Sequence, residues 1–244
     1  FLWGSLAVLT TYTGAIPPFQ IVAIAFFIGF GLALIKWIAL REPLSAPFRQ
    51  SVAAWAIGVG GLFGYHFLLF LALKISPPVQ ANLINYLWPL LIVLFSAFFP
   101  GQMLRTRHIA GAVMGFAGAG LLVTGASGFT LDPDHVAGYT AALAAAFVWT
   151  IYSLASSRLT SVPTDAIGAF CLVAAILSAS AHLVFEATVI PSTGEWLALV
   201  ALGLGPAGGA FCLWDWGLKR GNVRALGGIA YTAPLSSTAL LILL

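Results

Sequence analysis

Ile84-Asn85-Tyr86-Leu87-Trp88-Pro89-Leu90 returns downstream as Ile229-Ala230-Tyr231-Thr232-Ala233-Pro234-Leu235, with four of seven positions identical at an offset of 145. The same offset relates Gly64, Leu68, Leu73 and Lys74 to Gly209, Leu213, Leu218 and Lys219. Nearer the start it is 146, pairing Trp3 and Pro17 with Trp149 and Pro163. A period this long exceeds any solenoid unit. In an apolar chain it predicts two homologous bundles of membrane helices.

The chain is apolar enough for that reading. Hydrophobic residues make up 61% of its 244 positions, charged residues only 7%, and the mean hydropathy is +1.02. A soluble domain carries roughly a quarter charged residues, so a water-exposed surface is excluded. The net charge of +3 is spread over short loops and forms no basic face for nucleic acid. Cys171 and Cys212 both lie in apolar runs and read as buried packing thiols. Asn-x-Ser/Thr is absent from the sequence, which is consistent with a bacterial inner membrane.

A spanning helix needs about 20 mainly apolar residues. Nine segments fit once a shortened first is allowed: Phe1–Thr13, Phe19–Leu40, Val52–Leu73, Val79–Phe99, His108–Thr124, Val136–Ser156, Thr164–Phe185, Trp196–Leu218 and Val223–Leu244. The runs are too long, and too free of period-two alternation, for barrel strands. Phe1–Thr13 reads as the remnant of a first helix. The repeat partner of His108–Thr124 would fall near 253–269, so a tenth helix is expected beyond Leu244. Pro17-Pro18, Pro43, Pro47, Pro77-Pro78, Pro100-Gly101 and Pro191 punctuate the connections.

Charge sets the sidedness. With a cytoplasmic N-terminus, Lys36, Arg41, Arg49, Arg105, Arg107, Arg158, Lys219, Arg220 and Arg224 fall inside and Lys74 outside. Asp132, Asp134, Glu186 and Glu195 collect outside. Arg41 and Arg49 follow the second segment, whereas Glu186 and Glu195 follow its counterpart, the seventh. Similar sequences with opposite charge bias imply opposite orientation, as an odd number of helices per repeat requires. The expected fold is an all-α integral membrane bundle of ten helices, built from two inverted five-helix repeats at 1–127 and 136–244.

The fourth segment carries the most suggestive polar groups. At 100° per residue, Asn82, Asn85, Tyr86 and Pro89 fall within about a third of the helix circumference, with Trp88 at its border. Amides in hydrocarbon are costly unless paired, and Pro89 leaves the Asn85 carbonyl without its helical donor. Such a face could hold an ammonium and a carboxylate beside aromatic rings; equally, the amides could glue helices together and Trp88 pack in the core. The second-half counterpart of this face, Gly227, Ala230, Tyr231 and Pro234, has no amides, so the pocket would be asymmetric.

Tyr65 and His66 lie midway along the third segment, where a histidine is either a bonded core residue or a cavity group. Trp149, Tyr152, Ser153 and Ser156 form a stripe at helical spacing, suited to pore lining or to a helix contact. Asp215 is the one acid well inside an apolar segment. Lys219 at i+4 and Arg220 at i+5 favour an interfacial ion pair over a proton carrier, and Lys36 is expected to snorkel to the inner surface. Gly203, Gly205 and Gly208 spell G-x-G-x-x-G, but no strand precedes them and Pro206 interrupts, so a hinge or close packing explains them better than a dinucleotide. Gly60/Gly64 and Gly111/Gly115 read as small-residue contacts. The fifth segment, with six glycines from Gly111 to Gly128, reads as a packing helix.

An aromatic-x-Trp opening to each half, a proline before the second helix and the run Gly64-Tyr65-His66-Phe67-Leu68-Leu69-Phe70-Leu71-Ala72-Leu73 resemble the EamA branch of the drug/metabolite transporter superfamily. Asn85-Tyr86-Leu87-Trp88-Pro89 after Asn82 is similar to the YddG-type aromatic amino-acid exporters within it. Many members carry an arginine early in the second helix; Ile24-Ala25-Phe26 stand there here, so no role of that arginine is carried over. The resemblance implies alternating-access export of aromatic and other neutral amino acids, without cofactor or metal. The candidate cavity residues are Tyr65, His66, Asn82, Asn85, Tyr86, Trp88, Trp149, Tyr152 and Tyr231, with kinks expected at Pro89, Pro206 and Pro234. The expected partners are the small-molecule substrate and membrane lipid, with a monomer expected and a dimer as the alternative. Carriers of nucleotide sugars or phosphorylated substrates would need cations at mid-depth. An intramembrane enzyme would need metal-binding histidines, paired aspartates or G-x-S-x-G, none of which the sequence contains. A sensor would usually bring a soluble output domain.

Overall fold

The computed structural model describes residues 2–98, 104–124 and 130–243, and among them all regular structure is helical. The helices are α1 (Ser5–Thr11), α2 (Pro18–Ala39), α3 (Val52–Val59), α4 (Tyr65–Ile75), α5 (Pro78–Asn85), α6 (Leu87–Phe95) and α7 (Thr106–Thr124), then α8 (Val136–Arg158), α9 (Ala166–Phe185), α10 (Thr193–Leu204), α11 (Ala210–Arg220), α12 (Val223–Ala230) and α13 (Thr232–Leu243). Several pairs run on as one rod. Seven stretches are long and apolar enough to cross a membrane: Pro18–Ala39, Val52–Ile75, Pro78–Phe98, Thr106–Thr124, Pro133–Arg158, Ala166–Phe185 and Thr193–Arg220. Of the remaining two expected segments, Phe1–Thr13 contains only the two-turn α1, and Val223–Leu244 divides at Tyr231 into α12 and α13. Pro100-Gly101, Gly125 and Gly128 lie outside the described residues.

Local chemistry sets the helix starts. Pro18 and Pro78 occupy the first helical position, where their missing N–H would have no partner anyway. Ser51 caps α3, Asn222 caps α12, and Ser192 with Glu195 forms a capping box on α10.

The interruptions recur 145 residues apart. A π turn at Gly60–Gly64 joins α3 to α4, and another at Gly205–Gly209 joins α10 to α11. Tyr86 separates α5 from α6, and Tyr231 separates α12 from α13. In both breaks a proline, Pro89 or Pro234, is the third residue of the following helix. Its ring would clash with the carbonyl four residues back, so the preceding helix ends one turn earlier.

α2 packs along α9, and α8 lies against α4, α5, α6 and α11, while α12 pairs with α6. Small residues let the backbones approach: Gly168 lies under Ala33 and Trp37, and a Cβ on Gly29 would sit 3.2 Å from the Gly208 Cα. The expected Gly60/Gly64 contact is corrected. Nothing lies within 4 Å of a Cβ at Gly60, and one at Gly64 would meet only Val148, at 3.8 Å. Gly58 and Gly61 make the close contacts instead, with the rings of Phe170 and Tyr152. The π turn adds a residue to one turn and so rotates the following face away from 3.6 spacing. In the Gly111/Gly115 pair only Gly115 is in close contact, against the Tyr231 ring.

Candidate substrate site

Four indoles from distant parts of the chain converge. Trp3, just before α1, has its ring centroid 6.4 Å from Trp88 on α6, 5.7 Å from Trp149 on α8 and 5.2 Å from Trp214 on α11. Phe211 closes the group 5.9 Å from Trp3 and 5.5 Å from Trp149. Most pairs meet edge to face, which the ring quadrupoles favour by about 0.5–1.5 kcal/mol per pair beyond burial. Tyr65 extends the cluster at 5.1 Å from Trp149, and Tyr152 at 5.0 Å.

The polar atoms of this cluster are unequally satisfied. Trp3 Nε1 donates to the Pro206 carbonyl at 3.2 Å, and Trp214 Nε1 donates to Ser153 Oγ at 3.1 Å. Trp149 Nε1 is buried and makes no hydrogen bond among the described residues. The position 145 before Pro206, whose carbonyl would be the counterpart acceptor, is Gly61, and the Tyr152 ring packs directly against it. Asn85 Nδ2 donates to Tyr65 Oη at 3.0 Å, but among the described residues Asn85 Oδ1 and Tyr152 Oη have no partner. Each such buried group costs about 1–3 kcal/mol when left unsatisfied. Together they present a donor for an anionic oxygen, an acceptor for a cationic nitrogen and several aromatic faces.

His66 is oriented from within its own helix. Its Nδ1 lies 2.6 Å from the Leu62 carbonyl, which can only accept, so Nδ1 carries the proton. The ring meets Phe26 at 5.2 Å and Phe211, 145 positions away, at 6.1 Å. Tyr231 reaches the break in the other half. Its hydroxyl donates to the Tyr86 carbonyl and accepts from the Leu90 N–H, both at 3.1 Å. An uninterrupted helix would join those two groups directly; the hydroxyl is inserted into the ladder, a recognised cause of kinking.

Asp215 stands apart from the indoles. It is only 2% exposed, and its Oδ2 accepts from Lys219 Nζ and Thr164 Oγ1, each at 2.7 Å. Lys219 also donates to the Val162 carbonyl at 2.9 Å, while Arg220 lies over the Trp216 ring instead of joining the pair. Lys36, exposed near the end of α2, bonds Asp165 at 2.5 Å and lies 3.6 Å from Glu42. At the opposite end of the same helix pair, Glu186 accepts from the Phe19 and Gln20 amides at 3.0 and 3.2 Å and meets His182 Nδ1 at 2.9 Å. Cys171 and Cys212 are free thiols.

The model of the EamA-like transporter family matches residues 1–124 and again 136–244. The chain belongs to that family. A relative from Ancylobacter novellus, named aromatic amino acid exporter YddG, is 52% identical over 242 residues, covering 99% of this chain and 84% of the relative. A Salmonella typhimurium protein of the same name is 27% identical over 233 residues, 88% of this chain and 75% of its own. One solved crystal structure superimposes with a TM-score of 0.95 at 51% identity, over 99% of this chain and 84% of that one.

Within this EamA-family chain the residues singled out from sequence separate into groups. Trp88, Trp149, Tyr65, Tyr152 and His66 enter the ring cluster directly, and Asn85 joins it through Tyr65. Tyr86 and Tyr231 meet at the break beside Pro89, while Pro206 supplies the carbonyl that holds Trp3. Asn82 is half-buried on α5, one turn before the break. The helix is interrupted at Tyr86, between Asn82 and Trp88. Trp3, Phe211 and Trp214 were not singled out as site residues. Phe211 was reachable, since it stands 145 residues after His66; Trp214 left no such signal.

Proposed function

We propose that this protein exports neutral amino acids, aromatic ones foremost, from the cytoplasm across a bacterial inner membrane by alternating access, and that it is a transporter, not an enzyme. The observation that carries the reading is the buried Trp149 N–H and Asn85 amide oxygen, both without partners among the described residues and beside a wall of indoles. A zwitterion would satisfy both: its carboxylate accepts from the indole, its ammonium donates to the amide, and its aromatic side chain meets the rings. The names of the two YddG relatives point to the same substrate class. Phosphorylated substrates fit less well, since among the described residues the hydrogen bonds of Trp3, Trp214 and Tyr65 involve no lysine or arginine.

In this reading the chain forms two inverted five-helix repeats of a ten-helix bundle, at 1–127 and 136–244, with a cytoplasmic N-terminus and a monomer as the working unit. The matched interruptions at Tyr86 and Tyr231 and at the two π turns support the repeat. They are also consistent with flexible points at Pro89, Pro206 and Pro234, around which the halves would rock. Counterflow of radiolabelled tryptophan, phenylalanine and glutamate into proteoliposomes tests the proposal. Uptake of the aromatic pair, reduced in Trp149→Phe at unchanged protein folding, is the expected result. Glutamate moving as fast as tryptophan, or no dependence on Trp149, would sink it.

A further inference from the structure

A cleft of about 220 Å³ opens between α6, α7 and α12, away from the ring cluster. Its rim carries Arg107 and His108 at the start of α7, with Asn222 and Arg224 at the start of α12. The two helices thus bring their positive ends to one place. His108 Nδ1 accepts from the Arg105 amide at 3.2 Å and lies 3.4 Å from Arg224 Nη1, so the ring holds the guanidinium at the rim. Among the described residues, no carboxylate lines the cleft. The acids Glu42, Asp165 and Asp215 are engaged elsewhere, by Lys36 and Lys219. Beneath the rim the wall turns apolar and small, with Gly111 exposed on α7 and Ala225 and Gly228 exposed on α12.

We infer that this cleft binds one anionic phospholipid of the leaflet that meets the arginine-rich end. The phosphodiester would lie between Arg107 and Arg224, where guanidinium groups match its oxygens. The start of an acyl chain would lie along the glycine-lined wall. Charge complementarity selects the headgroup. A free phosphate would meet the same rim but leave the exposed apolar wall uncovered, which is why the lipid is favoured.

Native mass spectrometry of the purified full chain, titrated with phosphatidylglycerol or phosphatidylcholine in detergent, tests this. The variants are Arg107→Gln/Arg224→Gln and, as a control of equal charge change per site, the exposed Arg49→Gln. The inference expects one retained phosphatidylglycerol, weak phosphatidylcholine retention and an Arg49→Gln variant like the parent. The double variant should bind roughly 30-fold more weakly, from about 1 kcal/mol per cation at 1.4 kcal/mol per tenfold. Equal retention of the two lipids, or equal loss in Arg49→Gln, would overturn it. So would displacement of the lipid by millimolar inorganic phosphate, which would identify the cleft as a free-anion site. Circular dichroism and thermal melting of each variant separate lost binding from lost folding.

Discussion

The Tyr231 hydroxyl bonds the backbone of Tyr86, the residue 145 positions before it, and so one repeat position holds open the helix break of its counterpart. The same hydroxyl accepts the Leu90 N–H, standing where a direct helical bond would otherwise form. The relationship is one-sided, since its chemistry lies in the hydroxyl of one tyrosine and the carbonyl of the other.

That asymmetry makes a test. Tyr231→Phe removes the inserted group, leaving the Tyr86 carbonyl and the Leu90 N–H either to rejoin, which straightens the helix, or to stay unpaired at about 1–3 kcal/mol. Transport should fall severalfold while the protein remains folded. Tyr86→Phe leaves the bonded carbonyl in place and should stay closer to the parent. Flux assays beside thermal melting give the comparison, and equal behaviour of the two variants would count against the insertion.

The two repeat-related indoles should respond in opposite ways. Trp3→Phe loses its bond to the Pro206 carbonyl and should lower stability by about 1 kcal/mol. Trp149→Phe loses no hydrogen bond among the described residues, so its melting temperature should change less. Its apparent KM for tryptophan should rise at least tenfold, because a hydrogen bond to a charged group is worth about 1.5–3 kcal/mol. Concentration-dependent flux and thermal shift decide between them.

Asp215→Asn should be a stability variant before it is a transport variant. It leaves Lys219, itself only 10% exposed at the side chain, without its carboxylate, and breaking one partner of a buried pair costs about 3–5 kcal/mol. Asp215→Asn/Lys219→Met should recover most of the lost melting temperature. Concentrative export and its pH dependence should persist in whatever protein folds. Abolished uphill export with counterflow preserved would instead make Asp215 a proton carrier.

The glycine contacts give a prediction that helical spacing alone would reverse. Gly61→Ala drives a methyl group into the Tyr152 ring, whereas Gly60→Ala enters open space. Expression and melting temperature should drop for the first, by an overpacking cost of about 1–3 kcal/mol. The second should match or exceed the parent, because alanine is the better helix former.

Sidedness is checked by single cysteines in a background lacking Cys171 and Cys212. Cysteines at His135 and Glu195 should react with an impermeant reagent from the periplasm, and those at Arg49 and Arg105 from the cytoplasm. Reaction of all four from one side would exclude the proposed orientation.

Membrane residence and seven of the nine expected spanning segments were legible from the residues themselves, whereas the break at Gly60–Gly64 was read as a packing contact and the fourth segment as one unbroken arc. Hydropathy is a local sum, and Pro89, Pro234 and the Gly60–Gly64 and Gly205–Gly209 stretches act through backbone geometry within one turn. The pairing of Asp215 with Lys219 was legible for the same reason, since one helical turn separates them. Thr164 as a further partner was not, because it arrives from another segment. Which rings would meet was decided only by the tertiary structure. A π turn or a proline break rotates everything beyond it, so periodicity continued through Tyr86 or Gly61 assigns the wrong faces. Trp214 joins Trp3 across most of the chain, and the Tyr152 ring packs against Gly61. Those contacts depend on the relative rotation and depth of whole helices, which no single segment encodes.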